Sequence, residues 1–184
     1  MTYAEITESV KALKRRYGES DPFRLCRAMD IKLLYQAMGT HPHAVKGFFL
    51  EYKRISTITV NSDLPKNIQR IIVAHELGHA CNHRHSGIHA FHELALFDQT
   101  SQMEKDANLF AAELLLDDHE VLQVLNQDTT FFVAASTLYV PVELLDFKFR
   151  VMKWKGYKLV EPPISAGNCF LKDMEVPDDA DIYT

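Results

Sequence analysis

His75, Glu76 and His79 have the residue types and the spacing that metal-assisted hydrolysis requires. An α-helix turns by about 100° per residue, so two histidines four positions apart lie on one face, about one turn apart. Such a pair can bind a single divalent cation. Glu76 lies about 100° round the helix from His75, where its carboxylate can act as a general base toward water. The H-E-x-x-H spacing therefore predicts a metal-dependent hydrolytic centre.

The alternative interpretation is a pair of core histidines that hydrogen-bond to the backbone and bind no ion. The neighbouring residues are apolar on most sides of the helix, which indicates that it is buried: Val73, Ala74, Leu77 and Ala80. A buried polar group without a partner costs about 1–3 kcal/mol, so both imidazoles need partners. One cation would satisfy both rings, and metal binding is the favoured interpretation.

The third metal ligand must come from outside the helix that carries His75 and His79. A catalytic zinc ion normally takes three protein ligands at about 2.1 Å. His83 is close in sequence, but on a straight helix it would lie about 12 Å from His75 along the axis, which is too far to share one ion. Spacing alone leaves several other groups open, namely His85, His89, His92, Glu93, Glu104, Asp106, Glu113 and His119. Glu104 is a candidate third ligand in the first turn of a predicted helix. The helix dipole alone also favours a carboxylate there, whether or not it binds a metal ion.

Composition places these residues in an ordinary globular protein. The chain has 184 residues, 47% of them hydrophobic, enough for one core or for a domain with an appendage. A net charge of −5 argues against a general nucleic-acid-binding surface. Three cysteines without a C-x-x-C pair suit a reducing compartment. With neither a signal-peptide pattern nor an apolar stretch of about 20 residues, we expect a cytoplasmic protein without a membrane partner.

Capping residues and periodicity predict the elements around the candidate centre. Thr2 and Glu5 form a capping box for a helix that Gly18 ends, Asp21 caps a second helix, and Asp117 caps one near residue 125. Strands are predicted at 31–35, 47–52 and 55–60, the last two as a hairpin. They make a small sheet against which the histidine helix can pack. An exposed edge of this sheet could bind an extended peptide by strand addition.

Further helices are predicted at 102–116, 130–138 and 141–153. The last two have the spacing of a helix-turn-helix, which could contact DNA or a protein. Glu143 and Asp146 lie near the start of the second helix, where a recognition helix usually presents DNA-binding groups. Packing or protein docking is therefore favoured over DNA binding.

Two segments together resemble the ImmA/IrrE family of metallopeptidases. These segments are A-H-E-L-G-H-A at 74–80 and E-K-D-A-N-L-F-A-A-E-L-L at 104–115. The family carries H-E-[LI]-G-H, followed about 25 residues later by E-x-x-A-N-x-F-A-A-x-L-L. The resemblance covers about residues 20–125. The family usually continues with L-L-M-P, whereas this chain has Asp117 where the proline would stand.

The resemblance implies His75, His79 and Glu104 as ligands of one Zn²⁺ ion and Glu76 as the general base. It also implies a cytoplasmic endopeptidase that cuts a specific protein, commonly a helix-turn-helix repressor of a phage or mobile element. The alternative is a regulatory binding protein with a structural zinc ion, which docks a protein or DNA through its C-terminal helices. His92, Tyr52 or Tyr139 could stabilise the oxyanion of a peptidase.

The expected fold class is α+β, a mostly helical zincin-like domain with a small three-stranded sheet, followed by a helical C-terminal part. We predict a metallopeptidase core at 1–126, a helical extension packed on it at 127–160, and an irregular acidic tail at 161–184. Asn108, one turn after Glu104, could hold that ligand in place or have only a core or capping role.

Overall fold

A computed structural model describes residues 1–41, 43–82, 101–126, 129–160 and 162–167. Within these ranges the chain forms seven helices and three strands, so the α+β, mostly helical class with a small three-stranded sheet is confirmed. The elements are α1 (Tyr3–Tyr17), α2 (Pro22–Ala28), β1 (Lys32–Gln36), β2 (Gly47–Tyr52), β3 (Ile55–Asn61), α3 (Lys66–Asn82), α4 (Gln102–Leu115), α5 (Asp118–Leu125), α6 (Phe131–Thr137) and α7 (Val142–Trp154).

The predicted helix ends are confirmed by their capping geometry. Thr2 and Glu5 form the reciprocal capping box of α1, and Gly18 ends this helix in the left-handed conformation at φ 63°. The Asp21 side chain accepts a hydrogen bond from a first-turn backbone N–H of α2, and Asp117 accepts two from the first turn of α5. These local signals depend only on neighbouring residues, which is why the sequence reveals them.

The sheet has the order β1-β3-β2, with β1 parallel and β2 antiparallel to β3. Its inner face packs on α3, and Phe49 of β2 and Ile58 of β3 are almost completely buried there. Gly47 lies so close to α3 that an added Cβ would meet Cγ2 of Ile72 at 2.5 Å. A side chain larger than hydrogen at this position would therefore push β2 away from the helix.

Helix α3 runs through the middle of the core, and every residue from Ile71 to Ala80 is buried. It contacts α2, α4, β2 and β3, while α7 packs on α4 and α1. The side chains of α3 are thus fixed on all sides, which suits a helix that positions reactive groups.

Helix α7 is a core helix and is not exposed for DNA recognition. Residues 144–149 are all buried, and Lys148 is only 1% exposed. A recognition helix must place exposed side chains in a DNA groove, which this packing prevents. The boundaries at 126/127 and 160/161 stay predictions. Residues 162–167 contain neither helix nor strand.

No helix among the described residues combines the length and the apolar character needed to cross a membrane.

Candidate metal centre

The two histidines of α3 point their Nε2 atoms at the same position. His75 is 4% exposed and His79 is 3% exposed, and their Nε2 atoms lie 3.1 Å apart. The ring centroids are separated by 4.9 Å in an edge-on arrangement. The four-residue spacing on one helix face produces this convergence.

Glu104 brings a carboxylate to the same position from the first turn of α4. The Ser101 side chain caps this helix by accepting a hydrogen bond from the backbone N–H of Met103. Oε2 of Glu104 lies 3.2 Å from Nε2 of His75, and Oε1 lies 3.4 Å from Nε2 of His79. Two separate helices therefore supply three groups that could hold a metal ion, with ligand atoms all within 4.8 Å of one another.

The distances in this cluster fit a tetrahedral metal site. Ligand atoms bound at about 2.0–2.1 Å and at tetrahedral angles are separated by about 3.3 Å. Observed separations of 3.1, 3.2 and 3.4 Å leave room for one such ion between His75, His79 and Glu104. Two imidazole nitrogens and a carboxylate oxygen are also a donor set found in catalytic zinc sites.

The electrostatics of the cluster keep Glu104 ionised. Burial opposes its ionisation, but hydrogen bonds and charge interactions with His75 and His79 outweigh burial, so the pKa of Glu104 falls well below its usual range. Burial also disfavours the protonated form of both histidines. For His79 burial dominates and its pKa is lowered, whereas interactions led by the Glu104 hydrogen bond raise the pKa of His75.

Glu76 lies beside this cluster with one carboxylate oxygen unpaired. The residue is 3% exposed, and within the described part of the chain Oε2 is buried without a hydrogen-bond partner. Its negative charge raises the pKa of both His75 and His79, which indicates that it lies close to them. A buried carboxylate oxygen without a hydrogen-bond partner is energetically unfavourable. A free oxygen of this kind is able to accept a proton, as a general base must.

The structure separates several of the other candidate ligands from the cluster. Asp106 is buried and accepts a hydrogen bond from Gln102 at 2.6 Å, and Glu113 is paired with lysines. His119 is exposed on α5. The remaining candidates lie outside the described residues: His85, His89, His92 and Glu93.

The supporting residues proposed from sequence are placed as follows. Tyr52 and Tyr139 are 63% and 80% exposed, at the β2–β3 turn and the α6–α7 turn. Their part in stabilising an oxyanion stays a prediction, and His92 is outside the described residues. Asn108 is 1% exposed, and its side chain contributes to the raised pKa of the His75 ring.

Comparison with known proteins identifies the family of this fold and site. Residues 26–150 match the model of the M78 peptidases, described as an IrrE N-terminal-like domain. The chain belongs to this family. It is also 34% identical over 146 residues to a protein of Bacillus phage phi105 described as an uncharacterized immunity region protein 2, which covers 79% of this chain and 90% of that protein. The predicted relationship is thus confirmed, and peptidase activity is supported at the level of the family.

A glycine in the histidine motif of this M78 family member allows α3 and α4 to meet closely. A Cβ at Gly78 would lie 3.0 Å from Cα of Ala107 and 3.2 Å from Cβ of Phe110. Glycine inside a helix costs about 1 kcal/mol relative to alanine. The close contact that it permits brings the start of α4, and so Glu104, toward the histidines. The sequence displays this glycine, but only the packing gives its reason.

A second feature that sequence reasoning missed is a cluster of two buried and two partly buried charges, which we call the α4–α7 ion cluster: Glu113, Lys148, Asp118 and Lys155. Lys148 Nζ lies 2.7 Å from Glu113 Oε2 and 2.6 Å from Asp118 Oδ1. Lys155 Nζ lies 2.6 Å from Glu113 Oε1 and 2.8 Å from Asp118 Oδ2. The ion cluster ties α7 to α4, the helix that carries Glu104. The acidic partners of both lysines lie about 30 or more residues away in sequence, so no local pattern indicates the pairing.

Proposed function

We propose that this chain is a zinc-dependent endopeptidase that cleaves a specific cytoplasmic protein, namely a helix-turn-helix repressor of a phage or mobile element. The observation that carries the proposal is the convergence of His75, His79 and Glu104 beside the unpaired oxygen of Glu76. Membership of the M78 peptidases supports peptide hydrolysis. The phage relative is described as an immunity region protein, which supports a regulatory substrate.

His75, His79 and Glu104 would hold the zinc ion, and Asn108 would help to orient the His75 ring. When bound, zinc supplies a Lewis acid that polarises the scissile carbonyl and makes water more acidic. Oε2 of Glu76 would take a proton from the attacking water and deliver it to the leaving amine. The burial of His75, Glu76 and His79, with Glu104 half-buried, limits competing water and strengthens these interactions.

The sheet gives a way to hold the substrate in an extended form. In the described part of the chain β2 pairs only with β3, so its other edge can accept a further strand. Gly47 of β2 lies against Ile72, which precedes His75 and Glu76 by about one helical turn. A peptide added at this edge would therefore pass near the candidate centre.

The test is a Glu76→Gln variant, incubated with zinc and with a helix-turn-helix repressor as the candidate substrate. We expect this variant to bind zinc like the wild type and to lose cleavage, because the amide cannot accept the proton. Mass spectrometry of the fragments measures cleavage, and metal analysis measures zinc. Glu120→Gln, at an exposed position on α5, is the matched control and should cleave normally. Cleavage by Glu76→Gln at the wild-type rate would contradict the assigned base.

The alternative, a binding protein with a structural zinc ion, predicts a different outcome. In that case the wild type would bind its partner without cutting it, and Glu76→Gln would behave like the wild type. DNA binding through α7 is not part of our proposal, because this helix is buried and Lys148 and Lys155 are paired with carboxylates.

A further inference from the structure

We propose that the free edge of β2 selects an extended peptide with a carboxylate side chain near each end of an apolar stretch. We call this feature the β2 edge and define it as residues 46–54, which comprise the strand, the residue before it and the turn after it. The inference rests on the proposed function, since it names the class of substrate segment that would lie along this strand.

The β2 edge has the length of a short peptide-binding strand. β2 covers Gly47–Tyr52, which at about 3.4 Å per residue spans about 20 Å. Because β2 is paired on one side only in the part of the chain that the structure describes, its outward N–H and C=O groups can bond to an added strand. Main-chain hydrogen bonds of this kind form with a peptide of any sequence, so the side chains on the edge must provide the specificity.

Lys46 provides an unsatisfied positive charge at the first end. The residue is only 7% exposed, and within the described residues its Nζ is shielded from solvent without any hydrogen-bond acceptor. A buried ammonium group without an anion is unfavourable, and the part of the chain that the structure describes supplies no anion to it. A carboxylate that arrives with a ligand would satisfy it.

Lys53 and Arg54 provide positive charge at the other end. They form the tight turn between β2 and β3 with φ of 48° and 66°, a conformation for which Asn-Gly is the usual choice. Both are exposed, and Lys53 Nζ lies 5.2 Å from the ring centroid of Tyr52. Two long cationic side chains at a strained, glycine-favouring turn indicate a role beyond turn formation.

Apolar side chains lie between these charged ends. Gly47 and Phe49 face α3, so the alternation of the strand places Lys46, Phe48 and Leu50 on the opposite face. Phe48 and Leu50 are half-buried, which leaves apolar surface for alternate side chains of an added strand. The protein as a whole carries a net charge of −5, yet this edge has three cations and one carboxylate. The local charge therefore favours an acidic ligand.

Peptide binding to the full-length Glu76→Gln protein tests the proposal without requiring cleavage. The probe is a fluorescein-labelled ten-residue peptide with glutamate near each end and alternating valine and threonine between, measured by fluorescence anisotropy. A second peptide carries lysine in place of both glutamates. We expect the acidic peptide to bind at least about tenfold more tightly, as charge-assisted hydrogen bonds in a shielded site predict.

Charge-reversal variants then locate the binding site. Lys46→Glu and Arg54→Glu should each weaken binding of the acidic peptide by about tenfold or more and improve binding of the lysine peptide. Lys11→Glu on exposed α1 changes the net charge by the same amount and should leave both affinities unchanged. Circular dichroism checks folding. If Lys46→Glu does not fold, Lys46→Met and the exposed Arg54→Glu provide the same comparison.

Equal affinity for the two peptides would overturn the proposal, as would an equal loss of binding in Lys11→Glu. These experiments also distinguish failure of the β2 edge proposal from failure of the proposed function. If the acidic peptide binds as expected but the zinc-loaded wild type cleaves no regulator, the endopeptidase proposal fails while the β2 edge proposal stands. If cleavage occurs at the same rate in wild type, Lys46→Glu and Arg54→Glu, the proposal for the edge fails and the endopeptidase stands.

Discussion

Gly78 of α3 lies directly against Ala107 of α4, and a Cβ added to the glycine would come within 3.0 Å of the alanine Cα. Gly78 is the residue before His79, and Ala107 stands three residues after Glu104. A close contact of the two helices thus lies beside the candidate metal centre. The separation between the histidine and glutamate ligands depends on this contact.

We predict that Gly78→Ala weakens zinc binding by about tenfold or more. The added methyl group would force α3 and α4 apart, and such overpacking costs about 1–3 kcal/mol. Alanine is the better helix former by about 1 kcal/mol, so helix propensity alone would increase stability. A zinc titration against a competing chromophoric chelator measures the effect. Gly167→Ala is the control, because a Cβ there meets nothing within 4 Å. Unchanged zinc affinity in Gly78→Ala would show that the contact does not set the ligand geometry.

Removal of a charge from the α4–α7 ion cluster should destabilise the whole fold. Lys148 is 1% exposed and lies 2.7 Å from Glu113 and 2.6 Å from Asp118. Lys148→Met would leave two carboxylates with Lys155 as their only lysine partner among the described residues. We expect the free energy of unfolding in urea to fall by about 3–5 kcal/mol. Lys11→Met, at an exposed ion pair, should have little effect. A loss in Lys148→Met no larger than in this control would contradict a stabilising role for the cluster.

The same cluster should make stability depend on acidic pH through Asp118. Burial raises the pKa of its carboxyl, but the hydrogen bonds and charges of Lys148 and Lys155 outweigh burial and lower it. A folded-state pKa below the unfolded value of about 3.9 adds stability above that pH, and this stability is lost as the pH falls through the folded-state pKa. We therefore predict that wild type exceeds Asp118→Asn in free energy of unfolding near pH 7 and that the difference shrinks below about pH 4. A difference that is constant from neutral to acidic pH would exclude this coupling.

Local patterns predicted the helices and strands and three of the four residues of the candidate centre, namely His75, Glu76 and His79. The cap residues and the four-residue histidine spacing depend on neighbours in sequence, and they place His75 and His79 on one face of α3. The choice of Glu104 could not follow from spacing, because it depends on how α4 packs on α3; only the family resemblance selected it. The ion pairs of Lys148 could not be predicted for the same reason. Its partners Glu113 and Asp118 are distant in sequence, and no periodic pattern shows that a basic residue is buried.

The most direct measurement is the zinc content and zinc affinity of the wild type and of Glu104→Ala, determined side by side by elemental mass spectrometry and chelator competition. We predict one zinc ion per wild-type chain and an affinity at least about 100-fold lower in Glu104→Ala, because a ligand from α4 is lost. Glu120→Ala, at an exposed position on α5, should bind zinc like the wild type. A Glu104→Ala protein that retains one zinc ion at wild-type affinity would contradict a metal centre shared by α3 and α4.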